Sequence, residues 1–332
     1  MKVSVLGAGG WGTTLAILLH NNGHNVTLWE YKRNYAKVLS KHRENKTYLP
    51  GIKIPKEIVI THSLEEACEN QYMIVIAVPS QFIRSVLDKI KYIDYGDALF
   101  VSVSKGIEND SLLTVSQIIK DDLKDIDENK IGVLSGPSHA EEVVKKIPTA
   151  VVAASRSEVT ARKIQIAFMT SYFRVYSSTD IIGVELGGAL KNVIAIGAGI
   201  IDGAGFGDNT KAAIMTRGIA EISKMGISLG AKPETFAGLS GMGDLIVTCM
   251  SKHSRNRYVG EQIGKGKKLK DVLKSMEMVA EGVRTCKSVY ELSKKYDIEA
   301  PIVEAVYNIL YLEKDPFNVT YDLMTREMKS EH

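Results

Sequence analysis

Val3-Ser4-Val5-Leu6-Gly7-Ala8-Gly9-Gly10-Trp11-Gly12 decides the architecture: an apolar, strand-forming run passes straight into a G-x-G-x-x-G loop. Gly7 permits the tight strand-to-helix turn, Gly9 lets the backbone approach a pyrophosphate, and Gly12 allows the following helix, Thr13 to Asn22, to pack close to its strand. That helix faces the phosphates with unpaired N–H groups and the positive end of its dipole. The chain has 28 glycines, so the pattern alone carries little weight. Here strand, loop, helix and a second strand, Asn25 to Trp29, follow in order, and that order marks a dinucleotide cradle.

Outward from this loop, short strand-forming runs alternate with helical stretches as far as Ser178. The strands are expected at Val3 to Leu6, Asn25 to Trp29, Ile58 to Thr61, Met73 to Ala77, Leu99 to Ser102, Gly132 to Leu134, Ala150 to Ala153 and Phe173 to Ser177. Helices fall between them at Tyr31 to Lys41, Ser63 to Glu69, Gln81 to Lys89 and Val159 to Met169, and Ser63 with Glu66 spells a capping box. Such alternation implies a largely parallel sheet wrapped by helices, a doubly wound α/β domain over residues 1–178. From Thr179 the strand signal vanishes. Helical patterns at Ile181 to Ile201, Lys211 to Leu229, Arg257 to Gly264, Lys268 to Met276, Thr285 to Tyr296 and Ile302 to Leu312 define an all-α domain over residues 179–332. A cleft between the two is the natural substrate site. Gly183, Gly187, Gly188, Gly197 and Gly199 lie inside the first of these helices, where each costs about 1 kcal/mol relative to Ala. Close helix packing is the expected compensation for most of them, and a backbone near ligand is the alternative.

At 332 residues two domains are the default, and 45% hydrophobic with 24% charged content is that of a globular chain. A net charge of +3 does not point to nucleic acid. The basic clusters, Lys265-Gly266-Lys267-Lys268-Leu269-Lys270 and Lys294-Lys295, lack interleaved aromatics and read as solvated helix faces. Cys68, Cys249 and Cys286 have no metal-type spacing, so reduced, buried thiols are expected, with neither a disulfide framework nor a metal site. The apolar run after Met1-Lys2 is strand-length and breaks at glycines, unlike a signal peptide, and no run is expected to approach transmembrane length. A cytoplasmic location without stable membrane insertion is the expectation.

Several residues are placed for chemistry. Glu30 ends the second strand 18 residues past Gly12, where a carboxylate bonds the adenosine ribose and favours NAD; Lys32 and Arg33 beside it can instead hold the 2′-phosphate of NADP. Pro79, in Ala77-Val78-Pro79-Ser80, reads as a strand terminator. Lys105, at the edge of Val101-Ser102-Val103-Ser104, points toward the ligand crevice of an open α/β sheet. Gly136-Pro137-Ser138-His139-Ala140 follows another strand and starts a helix, with Ser138 as its cap, backbone amides free to touch a cofactor, and His139 read as structural. Lys191 lies beside Gly187, Gly188 and Ala189 in an apolar helix. Desolvation and a second cation such as Lys105 would lower its pKa into the range of a proton-transfer group. Asp244, in the turn Gly238 to Thr248, is either an N-cap or a substrate ligand. Ser254-Arg255-Asn256-Arg257 groups a hydroxyl, two guanidinium forks and an amide suited to a phosphate. Glu281, after Val279-Ala280, is a cap-box element or a cofactor contact.

Taken together, GAGGWGTTLA, VSVSKGIE, GPSHAEEV, GVELGGALKNVIAIGAGI, GLSGMGDLIVTC, SRNRYVG and EGVRT resemble the bacterial-type NAD(P)-dependent glycerol-3-phosphate dehydrogenases over nearly the whole chain. The resemblance implies a Rossmann domain followed by a helical domain, a homodimer, NAD or NADP as cofactor, and reversible reduction of dihydroxyacetone phosphate to sn-glycerol 3-phosphate for phospholipid synthesis. It implies that Lys191 is the proton acceptor and also touches substrate. Lys105, Asp244, Ser254, Arg255 and Asn256 match substrate positions, and Gly136, Ser138 and Asn192 are placed with the substrate as well. Gly7, Gly9, Gly10, Trp11 and Gly12, with Lys105, Gly136, Ser138, Ala140, Arg255, Val279 and Glu281, fall to the cofactor. Gly10 departs from the Ser of many members and leaves only backbone donation to the pyrophosphate, and Glu30 to Arg33 match poorly. The expected mechanism has protonated Lys191 donating to the developing alkoxide, Lys105 and Asn192 polarising that oxygen, and Arg255 anchoring the phosphate. Two rival readings are a two-domain hydroxyacid or sugar-acid dehydrogenase and a non-catalytic dinucleotide sensor.

Overall fold

The computed structural model describes residues 1–276, 278–328 and 330–331. Eight strands form one sheet: β1 (Lys2–Leu6), β2 (Asn25–Trp29), β3 (Val59–Thr61), β4 (Met73–Ile76), β5 (Leu99–Ser102), β6 (Ile131–Ser135), β7 (Thr149–Ser155) and β8 (Phe173–Ser178). Their spatial order is β3-β2-β1-β4-β5-β6-β7-β8. The first six take the strand order of dinucleotide-binding sheets. All eight coincide with the runs read from the sequence, to within a few residues at their ends. Pairing is parallel throughout except between β6 and β7, where Leu134 opposes Ala153 in antiparallel register. Between these two strands the chain holds only the one-turn α6, too little for a crossover across a sheet face.

Seven helices accompany the sheet: α1 (Gly10–Asn21), α2 (Arg33–His42), α3 (Leu64–Cys68), α4 (Ile83–Ile90), α5 (Val115–Asp122), α6 (Ala140–Val143) and α7 (Glu158–Phe168). α1 begins at Gly10, inside the glycine loop, ahead of the expected Thr13. The Ser63 capping box is one-sided: Ser63 Oγ accepts from Glu66 N–H at 3.2 Å, but its own N–H donates to Thr61 Oγ1. Pro79 lies beyond the end of β4 and precedes a single 3-10 turn, Ser80–Phe82. α5 has no counterpart in the expected pattern, although Thr114 N–H donates to Gln117 Oε1 at 2.9 Å in the geometry of a capping box.

The remaining helices are α8 (Ile181–Ala204), α9 (Asp208–Ser228), α10 (Pro233–Ala237), α11 (Asp244–Met250), α12 (Arg255–Gly264), α13 (Leu269–Lys274), α14 (Glu281–Lys295), α15 (Pro301–Tyr311) and α16 (Pro316–Met324). α16 lies beyond the expected pattern, and a π-helical turn, Leu239–Gly243, leads into α11. The expectation of no membrane-length run needs correction, because α8 has 24 residues and contains an 18-residue window of mean hydropathy 1.5, long and apolar enough to span. That window is 94% buried inside the protein, so its apolar character serves a core. The buried Glu185 of α8 accepts from Thr114 Oγ1 at 2.8 Å and from Ser116 N–H at 2.8 Å, tying the helical half to α5.

The α8 glycines are contact points. A Cβ at Gly199 would land on Arg257 O, one at Gly203 on Glu261 O, and one at Gly260 on Ile196 O, so α8 and α12 cross backbone to backbone. A Cβ at Gly187 would stand 2.6 Å from Ser240 O, and one at Gly197 2.7 Å from Ile214 Cδ1. One at Gly183 would strike the carboxylate of Asp180, which caps the helix. Only Gly188 faces the cleft, where a Cβ would meet Ser135 Oγ at 2.6 Å and Lys105 Cγ at 3.5 Å. The three cysteines are free and buried, as expected.

Candidate active site

The glycine loop sits where the strand order reverses, between the C-terminal ends of β1 and β4. Gly7 has φ of +114°, and a Cβ there would stand 2.8 Å from Ala77 O. A Cβ at Gly12 would overlap Gly7 O, whereas nothing lies within 4 Å of one at Gly9. That open face, the first N–H groups of α1, and a first turn without acidic residues fit a pyrophosphate. Gly10 has no room for the hydroxymethyl of Ser in this backbone, since a Cβ would stand 2.9 Å from Tyr48 O. The segment carrying Tyr48 is fastened by Asn45, fully buried, which donates to Ala8 O and Thr13 Oγ1, both at 2.8 Å. Asn45 Oδ1 in turn accepts from Tyr35 Oη at 2.7 Å. Trp11 is half-buried beside this loop.

Glu30 is 4% exposed and accepts the Lys32 N–H at 2.9 Å. Burial raises its pKa against that hydrogen bond and the Lys32 charge. Lys32 and Arg33 are exposed at the start of α2, whose first turn has no acidic residue, and they line an open hollow of about 460 Å³ with Asn34, Tyr35 and Val38. The cationic pair faces outward while the carboxylate is turned in.

Across the crevice, α8, α11 and the loop after β5 bring three charged groups together. Asp244 Oδ2 accepts from Lys105 Nζ at 2.6 Å and Asp244 Oδ1 pairs with Lys191 Nζ at 3.0 Å. Lys191 Nζ also donates to Thr248 Oγ1 at 2.6 Å, and Lys105 Nζ to Gly136 O at 2.9 Å. Asp244 opens α11 without capping it, which removes the N-cap reading of this residue. Burial pulls its carboxyl upward, but Lys105 and Lys191 outweigh burial and hold it below its ordinary value. Lys191, 6% exposed, is brought down to about 8 by burial, with Asp244 opposing and Lys105 adding to the shift. An ammonium with that pKa exchanges protons near neutrality.

A second chain of contacts runs behind the cluster. Asn192 Oδ1 accepts from Asn256 Nδ2 at 2.8 Å, and Asn256 Oδ1 accepts from Gly282 N–H at 2.9 Å. Asn192 Nδ2 donates to Lys105 O at 3.3 Å, so this amide is committed to the protein's own groups. Ser254 caps α12 by accepting Arg257 N–H at 3.2 Å. Arg255 is exposed and donates from Nη1 to Val279 O at 2.8 Å. The second fork, Arg257, turns away from the site to Asp202 at 2.7 Å. Glu281 does not form a cap box: its carboxylate accepts Ser80 Oγ at 2.7 Å and Ser80 N–H at 3.2 Å, joining α14 to the loop after β4. Ser138 does not cap α6 either. Its Oγ donates to Gly136 O at 2.9 Å, His139 takes the N-cap position, and Ala140 O accepts from Thr14 Oγ1 at 3.4 Å.

Sequence reasoning missed Thr248, Ser80, Asn45 and Tyr48. Thr248 carried a signal, because it lies four residues after Asp244 on the same helix face. The other three act through long-range contacts that no local pattern reveals.

A glycine loop shaped to fit a pyrophosphate at the switch point of a parallel sheet, facing a buried lysine of lowered pKa on a helical domain, defines the class of two-domain dinucleotide-dependent oxidoreductases. Residues 2–161 match the family model described as NAD-dependent glycerol-3-phosphate dehydrogenase N-terminus, and residues 180–321 match that of the C-terminus. The chain belongs to the NAD-dependent glycerol-3-phosphate dehydrogenase family. Glycerol-3-phosphate dehydrogenase [NAD(P)+] of Chlorobium phaeobacteroides strain BS1 is 52% identical over 331 residues, spanning 100% of this chain and 99% of that protein. The protein of the same name from Thermoanaerobacter sp. strain X514 is also 52% identical, over 100% of this chain and 99% of its own. The crystal structure of glycerol-3-phosphate dehydrogenase from Coxiella burnetii superposes with a TM-score of 0.93 at 34% identity, covering 98% of this chain and 99% of that one.

Proposed function

We propose that the chain reversibly reduces dihydroxyacetone phosphate to sn-glycerol 3-phosphate with NADH or NADPH, residues 1–178 holding the dinucleotide and residues 179–332 the substrate. One observation carries the reading: Lys191 is buried, tuned to about 8, and held by a carboxylate that it shares with Lys105 at the crevice between the two halves.

The bound dinucleotide supplies or accepts the hydride. Lys191 donates its Nζ proton to the alkoxide that forms at the substrate carbonyl and takes it back in the reverse direction. Thr248 Oγ1 and Asp244 Oδ1 fix Nζ in place. When Lys191 is neutral, Lys105 still compensates Asp244, so the cluster passes through no state with an unbalanced buried carboxylate. Lys105 contributes positive charge beside the same oxygen. Asn192 acts mainly by holding Asn256 and the start of α12, a change from the expectation that it polarises the carbonyl. Arg255 and the α12 N-terminus, whose first turn carries no acidic residue, take the phosphate and orient the substrate.

The product class places the enzyme in supply of glycerophosphate for phospholipid synthesis, in the cytoplasm. The helical domain exposes Met242, Ile246 and Met250 at 41%, 42% and 62%, along one side of the turn leading into α11 and of α11 itself, which supports a homodimer. Light scattering of the purified protein tests that state. The activity itself is tested by following NADH and NADPH absorbance on addition of dihydroxyacetone phosphate. Loss of absorbance that depends on substrate is expected, and no loss with either coenzyme would overturn the reading.

A further inference from the structure

Six buried side-chain polar atoms lack a hydrogen-bond partner among the described residues, and two of them, Ser135 Oγ and His139 Nε2, lie in the loop that presents Gly136 and Ser138 to the lysine cluster. A polar atom removed from water without a partner is unfavourable, so two in five residues mark a surface shaped for a polar ligand. Ser135 is 5% exposed and lies against Gly188, which the stem of Lys105 also flanks. His139 occupies the N-cap position of α6, but its carbonyl does the work there, accepting Glu142 N–H at 3.1 Å and Val143 N–H at 3.0 Å. Its side chain makes no capping bond. The imidazole instead meets His253 across the crevice, ring centroids 5.7 Å apart and planes inclined by 53°. His253 immediately precedes Ser254, the cap of the ten-residue α12, and Arg255 follows. His139 of the sheet domain therefore stands against the phosphate end of the helical domain. Burial lowers its pKa foremost, Lys191 and Lys105 lower it further, and Glu141 and Glu142 oppose them.

We propose that His139 is a further substrate-contacting residue, its Nε2–H donating to a phosphate oxygen of the three-carbon phosphate substrate held by Arg255. Phosphate oxygens only accept, so the bound substrate selects the tautomer that carries the proton on Nε2. A neutral donor also adds a directed contact without a third cation beside Lys105 and Lys191. The inference rests on the function proposed above.

His139→Phe keeps a ring of similar shape and removes the donor, while His139→Gln restores an amide N–H near the position of Nε2. His139→Phe is expected to raise KM for dihydroxyacetone phosphate about ten- to a hundredfold, the range for losing a hydrogen bond to a charged group, with kcat and the KM for coenzyme nearly unchanged. His139→Gln should recover most of that loss. Calorimetric titration of each variant with inorganic phosphate should reproduce the order wild type, Gln, Phe. If wild type fails to turn over dihydroxyacetone phosphate, the proposed function falls, and the phosphate titration still decides the role of His139. A His139→Phe protein with wild-type KM and phosphate affinity would overturn the inference, as would Phe and Gln variants impaired equally. Should the Phe variant melt well below wild type, the His139→Ala and His139→Gln pair supplies the same comparison.

Discussion

Replacing Asp244 by Asn removes the carboxylate that Lys105 and Lys191 share, and its effect on proton transfer can be worked out in sign and size. At 3.0 Å and an effective dielectric near 20, the Asp244–Lys191 attraction is about 5.5 kcal/mol. Asn keeps a dipole and hydrogen-bond partners, so a net loss of about 3 kcal/mol is reasonable, equivalent to about two pKa units. Burial and Lys105 then act on Lys191 with less opposition, and its pKa moves from about 8 toward about 6. Reduction consumes the protonated amine. Its share at neutral pH falls from about nine-tenths to about one-tenth, and kcat for reduction falls about tenfold from this alone. The alkaline limb of the reduction profile moves down by the same two units, while the oxidative direction, which runs on the neutral amine, gains activity at lower pH. Initial rates in both directions from about pH 5.5 to about 9.5 read out the shift. Stability follows the same charges: a buried Lys191 ammonium beside a half-buried Lys105, without a counter-charge, costs about 3–5 kcal/mol, and the penalty shrinks as rising pH deprotonates Lys191. A folded Asp244→Asn protein whose limb stays near pH 8 would show that the carboxylate does not control Lys191.

Lys191→Met keeps the buried volume and removes the proton donor; kcat should fall about 10²- to 10⁴-fold while coenzyme binding, followed by Trp11 fluorescence, is retained, and near-normal turnover would dismiss Lys191 as the acid. Arg255→Ala should raise KM for dihydroxyacetone phosphate about ten- to a hundredfold with a smaller change in kcat, and an unchanged KM removes Arg255 from the phosphate. Because Glu30 is committed to the Lys32 N–H and the cationic pair faces outward, a Lys32→Ala, Arg33→Ala double variant should weaken NADPH binding about tenfold or more and leave NADH binding nearly constant; equal losses for both coenzymes, read by fluorescence titration, would contradict this placement. Glu221 accepts Ile302 N–H at 2.8 Å and Val303 N–H at 3.3 Å at the start of α15, and burial raises its pKa from 4.5 to about 7. Its folded form binds the proton more tightly than the unfolded chain, so the stability it contributes is full below about pH 4.5 and is lost by about pH 7, at most about 3 kcal/mol. Glu221→Gln should remove that part of the pH dependence of urea unfolding, and an unaltered dependence would exclude Glu221 as its source.

What could be read along the chain follows the range of the forces involved. The eight strands were legible because β-branched, apolar runs of a few residues are a local signal, and so was the glycine loop, whose turn, close approach and helix start all fall within six positions. The antiparallel β6–β7 pair was not, because its cause is the shortness of the α6 connection, which periodicity does not report. In the site the same division holds. Lys105, Lys191 and Asp244 could each be named from their neighbours, yet what Asp244 does in place of capping α11 needed Lys105, 139 positions away, on one of its oxygens. Ser138 was misread as a cap, and the cap alternative for Glu281 fails, for the same reason, since a helix start is a local pattern and their partners, Gly136 O and Ser80, are set by the loop path and the domain contact. The α8 glycines show how the two kinds of signal connect. Their cost was visible in the sequence, and the compensating contact was not: Gly199 and Gly203 let α12 approach backbone to backbone, and Asn256, near the start of α12, reaches Asn192, the neighbour of Lys191. A larger residue at Gly199 would therefore act on the proposed phosphate site through the position of α12, from outside that site.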